Sequence, residues 1–151
     1  CIGLTETFKE FMKGYKHEKL LELLFESLCS STKFEAKEIK EISQISQKEF
    51  NNKSSKDLLK ILKEKSDPKL YPSRILNLGI YIIISNSKDF NEKNESEINQ
   101  MISDIFEKLS LSTNKAEKDI GIYKSSKTKM KQAKELIEEL RIKDKKKEQK
   151  Q

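Results

Sequence analysis

Between Ser112 and Lys147 the chain contains no proline and a single glycine, Gly121. Nothing in that stretch breaks a helix, and nothing supplies the turn chemistry a hairpin would need. Ala116, Ile120, Tyr123, Met130 and Ile137 recur there in alternating three- and four-residue steps, with polar Lys127 and Lys134 filling the gaps in the series. That spacing suits one long helix whose stripe lies on a body, and it leaves a coiled coil open. A helix of roughly 30 residues extends about 45 Å at about 1.5 Å per residue, so its end must outrun the globule beside it.

The same segment carries the charge. From residue 113 to 151 there are 13 Lys and Arg against 7 Asp and Glu, whereas residues 1 to 112 carry 18 of each, so the whole net charge of +6 belongs to the terminal helix. A local positive field of this kind favours an anionic partner: a membrane surface, a nucleic acid or an acidic protein face. The lysines at its tip, Lys143, Lys145, Lys146, Lys147 and Lys150, suit a solvated helix end at the negative pole of the macrodipole, or a contact with anionic lipid or protein. Nucleic acid is not expected, because Arg141 is the only arginine in that region and no aromatic residue is interleaved among the lysines for stacking.

The remaining sequence reads as shorter amphipathic helices. With four glycines and two prolines in 151 residues, the turns of an all-β fold are missing. Leu4, Phe8, Phe11 and Met12 share one stripe that ends at Gly14, a residue suited to a left-handed helix cap. Leu20, Leu21, Leu24, Phe25, Leu28 and Cys29 form the strongest apolar face, which predicts that the second helix is the centre of the core. A thinner face of Ile39, Ile42 and Ile45 follows, running to about Phe50. Ser54 or Ser55 can cap a helix bearing Leu58, Leu59, Ile61 and Leu62, and Asp67 and Pro68 read as a loop. Pro72 fits the first turn of a helix that buries Ile75, Leu76, Ile80 and Ile83, with a strand over Ile80 to Ile84 as the alternative. Ile98, Met101, Ile102, Ile105, Phe106 and Leu109 make another helix, and Ser112 can cap the last one. The expected fold is all-α, a compact helical bundle with a long projecting C-terminal helix. Residues 1–111 form the globular domain and residues 112–151 the basic helix.

No residue pattern announces catalysis. His17 lies in a predicted turn without metal-ligand spacing around it, and Cys29 sits on an apolar face where a neutral thiol packs as a small hydrophobe. Glu35, Glu38 and Glu41 lie among lysines on an exposed face, and no carboxylate stands alone on an apolar background. Phosphate-binding glycine loops and zinc-ligand spacings are lacking, so the expectation is a non-enzymatic protein with no cofactor and no metal. The densest apolar run, Ile75 to Ile84, falls well short of the about 20 residues a membrane span requires. Cys1 at the head of the chain admits two readings. Either the sequence is truncated, which the helical spacing of Ile2, Leu4, Phe8 and Phe11 favours, or Cys1 is the anchor of a bacterial surface lipoprotein or adhesin.

Three ordered blocks add a resemblance. Phe8-Lys9-Glu10-Phe11-Met12-Lys13-Gly14-Tyr15 with Phe25 and Leu28-Cys29, then Ser73-Arg74-Ile75-Leu76-Asn77-Leu78-Gly79, then Leu109-Ser110-Leu111 leading to Ile122-Tyr123-Lys124-Ser125-Ser126 and Lys129-Met130-Lys131-Gln132-Ala133, resemble the thylakoid formation protein family, known for photosystem II biogenesis. The family has helices before its first block, and it has an aromatic residue directly before the serine where this chain has Pro72, with Tyr71 displaced by one. The resemblance implies an all-helical, non-enzymatic protein of cyanobacteria and plastids, associated with thylakoid membranes and needed for photosystem II assembly or repair. It further implies a link to the FtsH protease complex and a peripheral place on the cytoplasmic side of the thylakoid membrane in a cyanobacterium, with the plastid stroma as the alternative. Phe8, Phe11, Met12, Gly14, Tyr15, Ser73, Arg74 and Gly79 are then the family's structural residues. Partner contact is expected at Tyr123, Lys127, Met130, Lys143, Lys145, Lys146 and Lys147, and self-association through the long helix is open.

Overall fold

The computed structural model describes residues 1–32, 34–66 and 72–148, with side chains as far as Lys143. These residues form α1 (Ile2–Met12), α2 (Glu18–Cys29), α3 (Ala36–Phe50), α4 (Ser55–Lys65), α5 (Arg74–Ser85), α6 (Glu95–Lys108) and α7 (Thr113–Glu148). No strand occurs among the described residues, and the β-branched run from Ile80 to Ile84 is helical. Burial overrides propensity there, because Ile80, Ile83 and Ile84 share a face and are all buried. The loop expected at Asp67 and Pro68, and the displaced Tyr71, lie outside the described residues.

Helix starts follow cap chemistry. Ser54 caps α4 by accepting the Asp57 N–H at 3.2 Å, and its own hydroxyl donates to the Asp57 carboxylate at 2.7 Å. Asn94 and Glu97 form a reciprocal capping box at the head of α6. At α5 the sequence expectation needs correcting: Ser73 is the N-cap, accepting the Leu76 N–H at 3.1 Å, so Pro72 precedes the helix instead of entering its first turn. A serine oxygen that satisfies an orphan N–H defines the start better than a proline that merely tolerates it.

The core lies between α5, α6 and α7, where Ile80, Ile84, Met101, Ile102, Ile105, Phe106, Ala116 and Ile120 are buried together. This displaces the second helix from the centre it was expected to hold. On α2 only Phe25 and Cys29 are buried, in a satellite cluster with Ile39, while Leu20, Leu23, Leu24 and Leu28 are exposed. Its apolar face is wider than the strip α1 and α3 cover, and periodicity reports a face without reporting what lies on it.

The centre is α5 because α1 can cross it at backbone distance. A Cβ built on Gly3 would stand 2.0 Å from the carbonyl oxygen of Ile75 and 2.9 Å from the nitrogen of Gly79. Thr5 and Ser43 share a buried hydroxyl hydrogen bond of 2.5 Å that fastens α1 to α3 on its other side. The first turns of α7 belong to the core, with Ala116, Asp119, Ile120 and Tyr123 all buried, whereas every residue from Lys131 to Lys143 is exposed. Its 36 residues extend about 54 Å.

Candidate functional site at the junction of α1 and α7

The end of α1 is built to receive α7. Gly14 takes the left-handed conformation, φ +91°, and lets the chain turn immediately after the helix. The ring of Phe11 meets that of Tyr123 edge to face with centroids 5.9 Å apart, and Tyr123 meets Tyr81 of α5 at 6.2 Å. Glu10 pairs with Lys127 at 3.4 Å, and the Lys134 ammonium donates to the carbonyl oxygen of Lys13. Both lysines occupy the gaps in the apolar series of α7. Lys134 also sits at the negative end of the α1 dipole, where a cation is favoured.

These contacts frame a half-open groove of about 820 Å³ lined by Glu10, Lys13, Gly14, Lys124, Lys127, Thr128, Met130, Lys131 and Lys134. Five lysines thus face one carboxylate. Lys124 lies over the Tyr81 ring, 5.4 Å from its centroid, so its stem is held against the body. Burial raises the tyrosine hydroxyl of Tyr123 above its ordinary range, helped by Glu10, Tyr81 and Glu6, and burial does the same to Tyr81. Both phenols therefore stay neutral at physiological pH.

The expected contact residues divide on this geometry. Lys127 and Met130 line the groove, whereas Tyr123 is 8% exposed and offers a partner little surface, its ring being committed to Phe11 and Tyr81. Lys143 is exposed on α7, remote in sequence from the groove lysines. Lys145, Lys146 and Lys147 fall within the helix but beyond the described side chains, and Lys150 lies outside the described residues. Among the structural residues, Phe8 packs on Phe25 at 5.0 Å, Tyr15 meets His17 at 5.8 Å, and Met12 is partly buried.

Asp119 is an unexpected member of this junction. It is 5% exposed beside Ala116, Ile120 and Tyr123, and it accepts hydrogen bonds from Arg74 Nε at 3.0 Å and Asn77 Nδ2 at 2.9 Å. A carboxylate does stand on an apolar background here, contrary to expectation. Its position within the stripe, three residues after Ala116 and four before Tyr123, was the available signal. The network explains why a Ser-Arg pair heads α5: the serine starts the helix and the arginine reaches back to α7. Cys29 is buried and its thiol is raised by desolvation against the opposing pull of Lys40, which makes it a packing residue. Among the described residues no group of three or more His, Cys, Asp and Glu could hold a metal ion, and no helix is long and apolar enough to cross a membrane.

Fold and site together define a class of protein, an all-α bundle that presents a basic groove where a long helix leaves its core. The chain belongs to the thylakoid formation protein family, whose model matches residues 1–151. It is 81% identical to Protein Thf1 of Prochlorococcus marinus strain MIT 9312 over 147 residues, covering 97% of this chain and 73% of that one. Protein Thf1 of Prochlorococcus marinus subsp. pastoris, strain CCMP1986, is 60% identical, with 99% and 74% covered. The solved structure of Psb29 shares the fold at a TM-score of 0.75, with 21% identity over 99% of this chain and 75% of that chain.

Proposed function

We propose that this protein is a non-enzymatic accessory factor in photosystem II biogenesis and repair and in thylakoid membrane formation, acting through the FtsH protease complex. The observation that carries the reading is the match of the thylakoid formation family across residues 1–151, joined by relatives named Thf1 in cyanobacteria. The groove supports it in kind: lysines gathered on a helix that projects from the body suit recognition, and they do not form a reaction chamber. The protein works as a peripheral component on the cytoplasmic face of the thylakoid membrane, with α7 engaging the partner.

The test is made in a cyanobacterium. Tagged full-length chain is purified from solubilised thylakoids, and FtsH subunits are expected in the eluate above the level of an untagged control. Deleting the gene is expected to lower FtsH abundance and slow the recovery of photosystem II after high light. An eluate without FtsH, together with normal recovery in the deletion strain, would overturn the proposal.

A further inference from the structure

We infer that the lysine groove between the end of α1 and α7 is a docking site for an acidic amphipathic helix of a partner protein. The inference rests on the reading that α7 engages a partner, and of the expected contact residues it selects Lys127 and Met130 over the lysine-rich tip.

Charge is the first argument. Lys124, Lys127, Lys131 and Lys134 recur along α7 at steps of three, four and three residues, which is one helical face, and Lys13 closes the groove from α1. Two of the five hold the fold together: Lys127 pairs with Glu10, and Lys134 bonds the Lys13 carbonyl. The charges of the other three are not committed to a carboxylate of the body, although the stem of Lys124 rests on the Tyr81 ring. Lys13 and Lys124 have no ion pair among the described residues, and Lys131 reaches only the neighbouring Glu135 at 3.8 Å. Both members of that pair are well exposed, and it exchanges readily for a better acceptor.

Shape is the second argument. The groove is concave, and its walls are the hydrocarbon stems of the lysines together with Met130, a residue that adapts to apolar partners. A single phosphate would leave those walls wet, and a flat bilayer would touch the helix crest before the groove. An amphipathic helix fits both features, with carboxylates at three- and four-residue spacing against the lysines and apolar side chains on the stems.

The probe is a fluorescently labelled synthetic helix carrying glutamates at that spacing and leucines beside them, titrated with the purified full chain and read by anisotropy. Saturable binding that weakens with salt is expected. The variant K13E/K124E/K131E should bind at least about tenfold more weakly with unchanged helicity by circular dichroism. The neutral variant K13Q/K124Q/K131Q should fall between it and the native chain. Reversing Lys143, Lys145, Lys146 and Lys147 together should change affinity by less than about twofold, since charges beyond about 10 Å are screened.

Binding that ignores the groove variants but is lost with the tip variant would overturn the inference. So would absence of peptide binding, alone or with groove-dependent binding to vesicles of phosphatidylcholine and phosphatidylglycerol in equal parts, which would make the groove a lipid site. Because the assay contains no FtsH, a protein that binds the peptide but fails to co-purify FtsH keeps the groove and loses the proposed function. The opposite pair of results does the reverse.

Discussion

Arg74 at the head of α5 and Asp119 in the first third of α7 are joined by a charged hydrogen bond of 3.0 Å, with the carboxylate buried and the guanidinium largely exposed. The arrangement lets the arginine keep its hydration while it neutralises a group that could not stand alone in the core. Arg74→Ala leaves Asp119 with Asn77 as its remaining partner, and should lower unfolding stability by about 2 kcal/mol. Urea denaturation measures the loss. In a double-mutant cycle with Asp119→Ala the two losses should fall clearly short of additive. Additive losses would mean that the pair is not coupled.

The glycines of this chain should rank in order of what stands opposite them. Gly3→Ala drives a Cβ against the Ile75 carbonyl, a backbone atom that cannot rotate away, and should cost about 3 kcal/mol or prevent folding. Gly79→Ala brings its Cβ to 3.1 Å from the Gly3 nitrogen and should cost less. Gly121 meets nothing within 4 Å on an exposed helical face, so Gly121→Ala should stabilise by about 0.5 to 1 kcal/mol. Thermal melts of the three variants read the order directly, and a neutral Gly3→Ala would refute the close crossing of α1 and α5.

Helix positions and caps were legible because they depend on neighbours in sequence. Ser54 and the left-handed Gly14 needed only local chemistry to be recognised, whereas at α5 the tolerance of Pro72 for a first turn hid the stronger cap at Ser73. What sequence could not assign was which apolar face finds a partner. The leucines of α2 have stronger periodicity than the stripe of α7, yet Leu24 and Leu28 stay exposed while Ala116 is fully buried. The groove shows the same limit. Lys127 and Met130 were identifiable from α7 alone, but Glu10 and Lys13 come from more than 100 residues away in the chain. Lys127 and Lys134 read as defects in an apolar series, and only the fold reveals that the end of α1 fills both.

The two parts of α7 should separate on truncation. A chain ending at Leu111 loses Ala116, Asp119, Ile120 and Tyr123, opening the core beside Phe106 and stranding Arg74. It should lose cooperative unfolding, with strong dye binding to exposed apolar surface. A chain ending at Lys134 keeps every one of those contacts and the groove, and its melting temperature should fall by no more than about 3 °C. Equal stability of the two truncated chains would show that α7 is a detachable appendage.

Titration should mark the ends of the stability range for opposite reasons. Tyr81 and Tyr123 have hydroxyls raised by burial, so the folded chain holds those protons more tightly than the unfolded one. Their contribution is fully present below the ordinary tyrosine range and is lost as pH climbs from about 10 through the raised folded values. Tyr123→Phe removes the hydroxyl and keeps the ring against Phe11, so it should flatten the alkaline loss while changing neutral stability little. Asp89 acts at the other end. Burial pushes its carboxyl up, but the Ser55 hydroxyl and the Ser55 N–H, the latter at 2.9 Å, outweigh that and leave it lowered. Its contribution is present above about pH 4 and disappears as pH falls through the lowered folded value. Ser55→Ala should lower the urea midpoint on the neutral plateau and flatten the acid limb, so that the variant and native profiles converge at low pH; a loss that persists undiminished at low pH would point to general loosening of the bundle.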